Sequence, residues 1–128
     1  MRNLLLPIFL AVLFAANPAV AQDHDLGQWY AGYNHKYFQD ELPKDVIISR
    51  TLADDRFMAI TFYDNGHYHI ELNPKYNLST KTERINLLHE SCHIRIFIEH
   101  DEEFDDHGPH WQSCMHGLST QGAFEDIW

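Results

Sequence analysis

The chain has 128 residues, enough for one small domain with a modest core. Its 19 acidic residues outnumber nine Lys and Arg, and the formal net charge is −10 at pH 7. A surface this acidic repels phosphate backbones, which argues against nucleic acid as a partner and favours basic polypeptides.

The first residues have the pattern of a signal peptide. Arg2 precedes an apolar run at 4–16, and Ala19-Val20-Ala21 offers a small-x-small cleavage site. The run is too short for a retained transmembrane helix, and no Cys follows the cleavage site to carry a lipid anchor. We therefore predict a signal peptide at 1–21 and one domain at 22–128, exported to a periplasm or secreted, with no stable membrane anchor.

The next part of the chain is predicted to be scaffold. Aromatic and leucine residues recur at helical spacing from Leu26 to Leu42, which predicts a first helix ending before Pro43. Three strands follow, beginning at Val46, at Phe57 and at about His67, the last two joined by an Asn65-Gly66 hairpin turn. We interpret the aromatic stripe of the helix as core packing.

A long helix is predicted from about Lys81 to Glu99, because apolar residues recur there at helical spacing and cover most of its faces. Thr80 and Glu83 suggest a capping box at its start. Such a helix should be central in the fold. Any polar side chains that it buries need partners.

This helix carries His89-Glu90-Ser91-Cys92-His93, the HExxH pattern. Residues four apart lie one turn apart on nearly the same face, so both imidazoles can reach one ion. Glu90 lies beside that ion and can act as a general base toward an activated water. The pattern predicts a zinc site with an open position, provided that a third ligand exists. The alternative is two core histidines bonded to backbone carbonyls.

The best candidate for the third ligand is His107, in the segment Asp106-His107-Gly108-Pro109-His110-Trp111. Gly108 permits a sharp turn and Pro109 suits the first position of a new helix. His107 would then stand at the start of that helix. His110 and His100 are competing candidates.

With these two motifs in order, the chain resembles the SprT-like zinc metallopeptidases, the group that includes Spartan. The matching residues are His89, Glu90 and His93, then His107-Gly108-Pro109, Trp111 and Met115. The resemblance covers roughly 26–118. His110 stands where the family usually has Glu, and no four-cysteine zinc ribbon follows, so a second structural zinc is not expected. The acidic charge and the predicted export also differ from relatives that act on DNA-bound proteins.

The resemblance implies an α+β, zincin-like minimal metallopeptidase domain. Its expected parts are an N-terminal helix, a small three-stranded sheet, the HExxH helix and a following helix that carries the third ligand. One Zn²⁺ would be held by His89, His93 and His107. An oxyanion stabiliser is also required, and His110, His116 and Tyr68 are the candidates. An extended substrate is expected to pair with an edge strand, one of those flanking Asn65-Gly66.

The two cysteines, Cys92 and Cys114, are predicted to form a disulfide. Cys114 lies two turns beyond His107, so the two thiols would meet if both helices converge on the metal. An exported protein also enters an oxidising compartment. The alternatives are two buried free thiols, or a cysteine as fourth zinc ligand.

Two further features stay open. The segment 99–106 carries six acids, which suggests either a solvated loop or a surface that selects basic substrates. His67 and His69 share one strand face and could bind a second metal, although solvent-facing histidines are the simpler interpretation. Phe124, Ile127 and Trp128 near the end of the chain are expected to pack back on the domain.

The predicted function is that of an exported zinc metallopeptidase, a monomer acting on a polypeptide substrate. Two alternatives remain: a non-hydrolytic zinc-binding or partner-binding module, and a metallohydrolase of a cell-wall amide. The presence of Glu90 argues against a pure binding module, since holding zinc does not require this residue.

Overall fold

The structure, a computed structural model, describes residues 23–127. The predicted signal peptide and Trp128 lie outside these residues. Helix α1 spans His24–Tyr37, followed by strands β1 (Ile47–Ser49), β2 (Ala59–Asp64) and β3 (His67–Leu72). Helix α2 spans Thr80–His100, α3 spans Pro109–Thr120, and a 3-10 helix at Glu125–Ile127 follows. The predicted α+β architecture and the order of its elements are confirmed.

The three strands form one sheet in the order β1-β3-β2. The central strand β3 runs parallel to β1 and antiparallel to β2. The β2–β3 hairpin closes through Asn65 and Gly66, whose φ angles of 51° and 83° are those a tight two-residue turn requires. In this order β2 pairs only with β3, so β2 is an edge strand of the sheet. Strand β3 is hydrogen-bonded to a neighbour on each side and has no free edge for another strand.

The core lies between the sheet and helix α2. Ile48, Ile70 and Leu72 are fully buried on the sheet, and Leu88 and Ile94 are fully buried on the helix. This confirms that the HExxH helix is central. Among residues 23–127, no helix combines the length and the apolar character that are needed to cross a membrane.

Helix α1 ends earlier than the apolar pattern suggests. It stops at Tyr37, because Gln39 and Asp40 adopt left-handed backbone conformations with φ angles of 53° and 58°. Leu42 still joins the core, held by Asn34, whose side-chain amide bonds both the carbonyl and the N–H of Leu42 at 3.0 Å. The predicted aromatic stripe does pack in the core.

Helix α2 begins with a different cap from the one predicted. Ser79 is the N-cap, and its hydroxyl accepts a hydrogen bond from the Thr82 N–H at 3.2 Å. Glu83 does not close a capping box, because its carboxylate is paired with Arg50. The helix ends at His100. Its C-cap is Asp101, which adopts the left-handed conformation and donates its N–H to the Phe97 carbonyl at 2.9 Å.

The end of the described chain packs back on the domain. Asp126 accepts hydrogen bonds from Lys36 at 2.6 Å and from Tyr37 at 2.5 Å. Phe124 and Ile127 pack against the core, as expected from their apolar character.

Candidate metal centre

Three imidazoles converge at one point between α2 and the start of α3. The Nε2 atom of His93 lies 3.1 Å from that of His89 and 3.1 Å from that of His107, and the His89–His107 distance is 3.2 Å. Three nitrogens bound to one tetrahedral zinc at the usual bond length would stand about 3.3 Å apart. The donor set therefore fits a single zinc ion with a fourth position left open.

The protonation of these imidazoles also suits a metal. Burial lowers the pKa of His89 to about 4, with a further contribution from His107. Burial, His89 and His107 together lower the pKa of His93 to about 3. Both rings are therefore neutral near pH 7 and keep a lone pair for an ion. Three facing Nε2 atoms cannot all be satisfied by one another, whereas a cation satisfies them together.

His107 is positioned by the turn that precedes α3. The Asp106 carboxylate accepts a hydrogen bond from the Gly108 N–H at 2.7 Å, and the Gln112 side chain donates to the His107 carbonyl at 2.8 Å. A Cβ on Gly108 would stand 2.8 Å from the Asp106 Oδ1 atom, so a larger residue here would displace that side chain from its hydrogen bond. Pro109 occupies the first turn of α3, as predicted.

Trp111 forms the wall behind the three histidines. Its ring lies 4.7 Å from His89, 5.4 Å from His93 and 4.5 Å from His107, measured between centroids. Its indole N–H points to the His89 carbonyl at 3.4 Å. Sequence reasoning assigned Trp111 only a place in a motif. Its position one turn after His107 was the signal for this packing role.

Glu90 lies beside the histidines in a buried position, with 5% of its surface exposed. Its carboxylate accepts a hydrogen bond from the Thr61 hydroxyl at 2.6 Å. Burial raises the pKa of Glu90 to about 7, although the Thr61 hydrogen bond acts in the opposite direction. A carboxyl with a pKa near neutrality is suited to both accepting and returning a proton.

A cleft of about 350 Å³ opens over this centre. The edge strand β2 supplies one wall through Ala59, Ile60 and Thr61, and the loop between α2 and α3 supplies the other. His89, Glu90, His93 and His107 all line the cleft. The ligand set and the buried carboxylate thus face the same open space.

The other predicted site residues lie elsewhere. His110 points into a separate cleft, where its ring stacks on His100 with 3.6 Å between centroids and its Nδ1 lies 2.5 Å from Glu102. His116 is exposed on α3. Tyr68 packs edge-on against Phe97 and Phe104. None of His110, His116 and Tyr68 lines the metal cleft, and His100 is not brought to the three imidazoles.

The described residues contain no other group of three metal-ligating side chains. His69 stacks on Phe62 at 4.6 Å, and His67 lies 3.8 Å from Asp45. Within residues 23–127, His67 and His69 do not belong to any group of three converging ligand atoms, so the second metal site considered for them is not formed.

Cys92 and Cys114 form a disulfide that joins α2 to α3, with their Cα atoms 5.8 Å apart. The predicted pairing is confirmed. Because both sulfurs are used in this bond, neither cysteine can serve as a fourth zinc ligand.

A long helix with two histidines and a glutamate, completed by a histidine from the next segment and bordered by an edge strand, defines a zincin-like metal-binding domain. The model of the SprT-like family matches residues 26–126. The chain belongs to the SprT-like family, a group of zincin-like domains of the metallopeptidase type. Comparisons with curated proteins and with solved structures gave no significant match.

Proposed function

We propose that this protein is an exported, zinc-dependent metallopeptidase that hydrolyses peptide bonds with Glu90 as general base. One observation carries the proposal: the buried Glu90 carboxylate and the three convergent imidazoles line the same open cleft. A zinc-storage site would have no use for a buried carboxylate beside its ligands. Burying that group costs free energy, which a catalytic role explains.

His89, His93 and His107 would hold the zinc ion. When bound, zinc supplies a Lewis acid that polarises a carbonyl group and acidifies water. The Trp111 ring covers the three imidazoles from behind and limits access of solvent to them from that side. The open side of the centre faces the cleft, where a peptide can enter.

Glu90 would accept a proton from the attacking water and then donate it to the leaving amine. Thr61 would keep the carboxylate oriented toward the cleft, since its hydroxyl holds one oxygen at 2.6 Å. This hydrogen bond leaves the second oxygen free for the water. Thr61 is therefore a positioning residue.

The edge strand β2 is the proposed docking site for the substrate backbone. Asp64 pairs with His67 at the turn and Phe62 with His69, so the peptide groups of Ala59, Thr61 and Tyr63 face away from β3. An extended peptide could bond to these groups as an additional strand. In this arrangement the scissile bond of the peptide would lie next to the metal centre.

Export rests on the signal-peptide pattern at 1–21, and the disulfide supports it. Structural disulfides persist in oxidising compartments and are rare in the cytosol. The proposed substrate is a polypeptide and the proposed state is a monomer. The strong negative charge makes nucleic acid an unfavourable partner.

The test compares wild type with Glu90→Gln, both purified from Gln22 onward. Bound zinc and the cleavage of an unstructured protein such as casein are measured for each. One zinc in both, with cleavage only by the wild type, is the expected result. Zinc in both without any cleavage would instead favour a binding module, and digestion of cell-wall material alone would favour the amide hydrolase. Absence of zinc from the wild type would overturn the proposal.

A further inference from the structure

We infer that the cleft selects peptides carrying a lysine or arginine side chain, and that Glu103 and Asp105 recognise this charge. This inference rests on the proposed function, because it assumes that a peptide binds in the cleft. It concerns a different property, which is the chemical class of the side chain that binds there.

The acidic loop between α2 and α3 does not present all its carboxylates to the cleft. Glu102 is bonded to His110, and Asp106 caps the Gly108 N–H. Glu99, at the end of α2, is paired with Arg95 at 2.9 Å. These three acids bond other groups of the protein, and none of them lines the metal cleft.

Glu103 and Asp105 differ from the others in two respects. Both line the metal cleft, next to His107. Within residues 23–127, neither side chain forms an ion pair or a side-chain hydrogen bond with another residue. Two exposed carboxylates at the rim of a cleft, without an internal partner, are free to bind a cation from outside.

The loop that carries them is fixed in place. Phe104, between the two acids, stacks on Phe97 with 4.5 Å between centroids and meets Tyr68 edge-on at 6.3 Å. Glu102, which precedes Glu103, is hydrogen-bonded to His110, and the His110 ring stacks on His100. The backbone that carries the two acids is thereby held before a ligand arrives, which reduces the entropy that the loop loses on binding.

The rest of the cleft complements a long cationic side chain. Phe104 supplies aromatic surface for the aliphatic stem and for cation–π contact. Phe57 adds apolar surface, while its ring already lies 5.3 Å from the Arg56 guanidinium. Among residues 23–127, no Lys or Arg lines the cleft, and the neighbouring Arg56 is paired with Asp54 at 2.7 Å. A neutral or acidic side chain would leave both carboxylates without a partner.

The test uses sets of fluorogenic peptides. Within a set, the peptides are identical except at one position, which is Arg, Lys, Gln or Glu, and each set varies a different position. Cleavage by the zinc-loaded protein is measured as kcat/KM at low and at high salt. At one position we expect the Arg and Lys peptides to exceed the Gln peptide by about tenfold, and the advantage should shrink at high salt. Glu103→Gln with Asp105→Asn should reduce the ratio of kcat/KM for the Arg and Lys peptides to kcat/KM for the Gln peptide to less than about twofold.

The matched control is Asp101→Asn with Glu125→Gln, which removes the same charge from outside the cleft. This variant should keep the preference, because the recognition is local. Equal cleavage of all peptides by the wild type would overturn the inference. An advantage that persists in the Glu103/Asp105 variant, or that vanishes equally in the control, would also overturn it.

A second readout separates this inference from the proposed function. Binding of the same peptides to Glu90→Gln is measured by fluorescence anisotropy, with and without the Glu103 and Asp105 substitutions. If the wild type cleaves nothing, the proposed function fails. A binding preference for Arg and Lys that depends on Glu103 and Asp105 would still support the inference, and equal binding of all peptides would overturn it.

Discussion

The Thr61 hydroxyl and the Glu90 carboxylate are joined by a 2.6 Å hydrogen bond between the edge strand and the HExxH helix. Both side chains are buried. This contact links the strand proposed to bind the substrate to the residue proposed to move the proton. A displacement of β2 would therefore change the orientation of Glu90.

Replacing Thr61 with Val should test this relationship. Val preserves the shape of the side chain but removes the hydroxyl, and a hydrogen bond to a charged group contributes about 1.5–3 kcal/mol. We expect kcat to fall by between about tenfold and a hundredfold, with little change in KM. Thr61→Ser should restore most of the activity. Equal loss in both variants, with unchanged zinc content, would contradict a positioning role for the hydroxyl.

Replacing His107 with Ala should weaken zinc binding. Loss of an outer-shell partner of a zinc ligand costs about 10–100-fold in affinity, and loss of a ligand itself should cost at least about a hundredfold. The measurement is a titration against a competing chelator. His116→Ala, at an exposed position on α3, serves as the control and should bind zinc as the wild type does. Unchanged zinc affinity in His107→Ala would remove this residue from the metal site.

The stability of the metal-free protein should depend on pH through Glu90. Its pKa is raised from 4.5 to about 7, so its contribution to stability is fully present below pH 4.5 and is lost as pH rises through about 7. Relative to Glu90→Gln, the wild type should lose up to about 3 kcal/mol across that interval.

The comparison of these two proteins isolates Glu90, because His89 and His93 titrate in both. The pKa values of these histidines are lowered, so their contribution changes in the opposite direction and cancels in the difference. The free energy of unfolding is measured by urea titration in the presence of a chelator. A difference that is the same at pH 4.5 and pH 7.5 would show that burial does not raise the Glu90 pKa.

Removing the disulfide should destabilise the fold and loosen the metal centre. The bond joins residues 22 apart in the sequence, and closing a loop of this length contributes about 3 kcal/mol in the chain-entropy model. Cys92→Ala with Cys114→Ala should lower the free energy of unfolding by about this amount or more, since Cys92 is fully buried. Zinc affinity should fall as well, because α3 orients His107.

Unfolding of the wild type with and without a reductant provides the matched comparison. A reduced wild type that is as stable as the oxidised protein would mean that packing alone holds α2 against α3.

Replacing His110 with Ala distinguishes a loop anchor from an oxyanion stabiliser. The His110 ring holds Glu102 and stacks on His100, so its loss should increase hydrogen exchange in the loop 101–106 by several-fold. Zinc content should be unchanged. A large fall in kcat without any change in loop exchange would instead support a direct catalytic role.

Local patterns were sufficient to predict much of the site. His89 and His93 follow from helical spacing, and the turn at His107 follows from Gly108 and Pro109. The same local reasoning led to the Cys92–Cys114 pair, because both cysteines lie at helical spacings from proposed ligands. The two histidines and the turn each depend on a few neighbouring residues, whereas the disulfide also required that α2 and α3 converge on the metal.

Contacts between distant segments could not be predicted in this way. Thr61 is 29 residues from Glu90, and nothing in the strand pattern identifies the helix residue that faces it. The position of His110 depends on how the acidic loop packs against α3, because Glu102 of that loop is hydrogen-bonded to the His110 ring. The cap of α2 was assigned wrongly for a similar reason, since Arg50, from a distant turn, takes the carboxylate of Glu83.

The five consecutive residues of the HExxH segment face different neighbours. His89 and His93 meet His107, Glu90 meets the edge strand, Cys92 is bonded to α3, and the Ser91 hydroxyl returns to the Leu87 carbonyl at 2.6 Å. Inserting or deleting one residue within this turn would rotate the following residues by about 100°. Such a change would break several of these contacts at once. Insertions and deletions are therefore compatible with this domain only outside this turn, in loops such as the one that precedes β2.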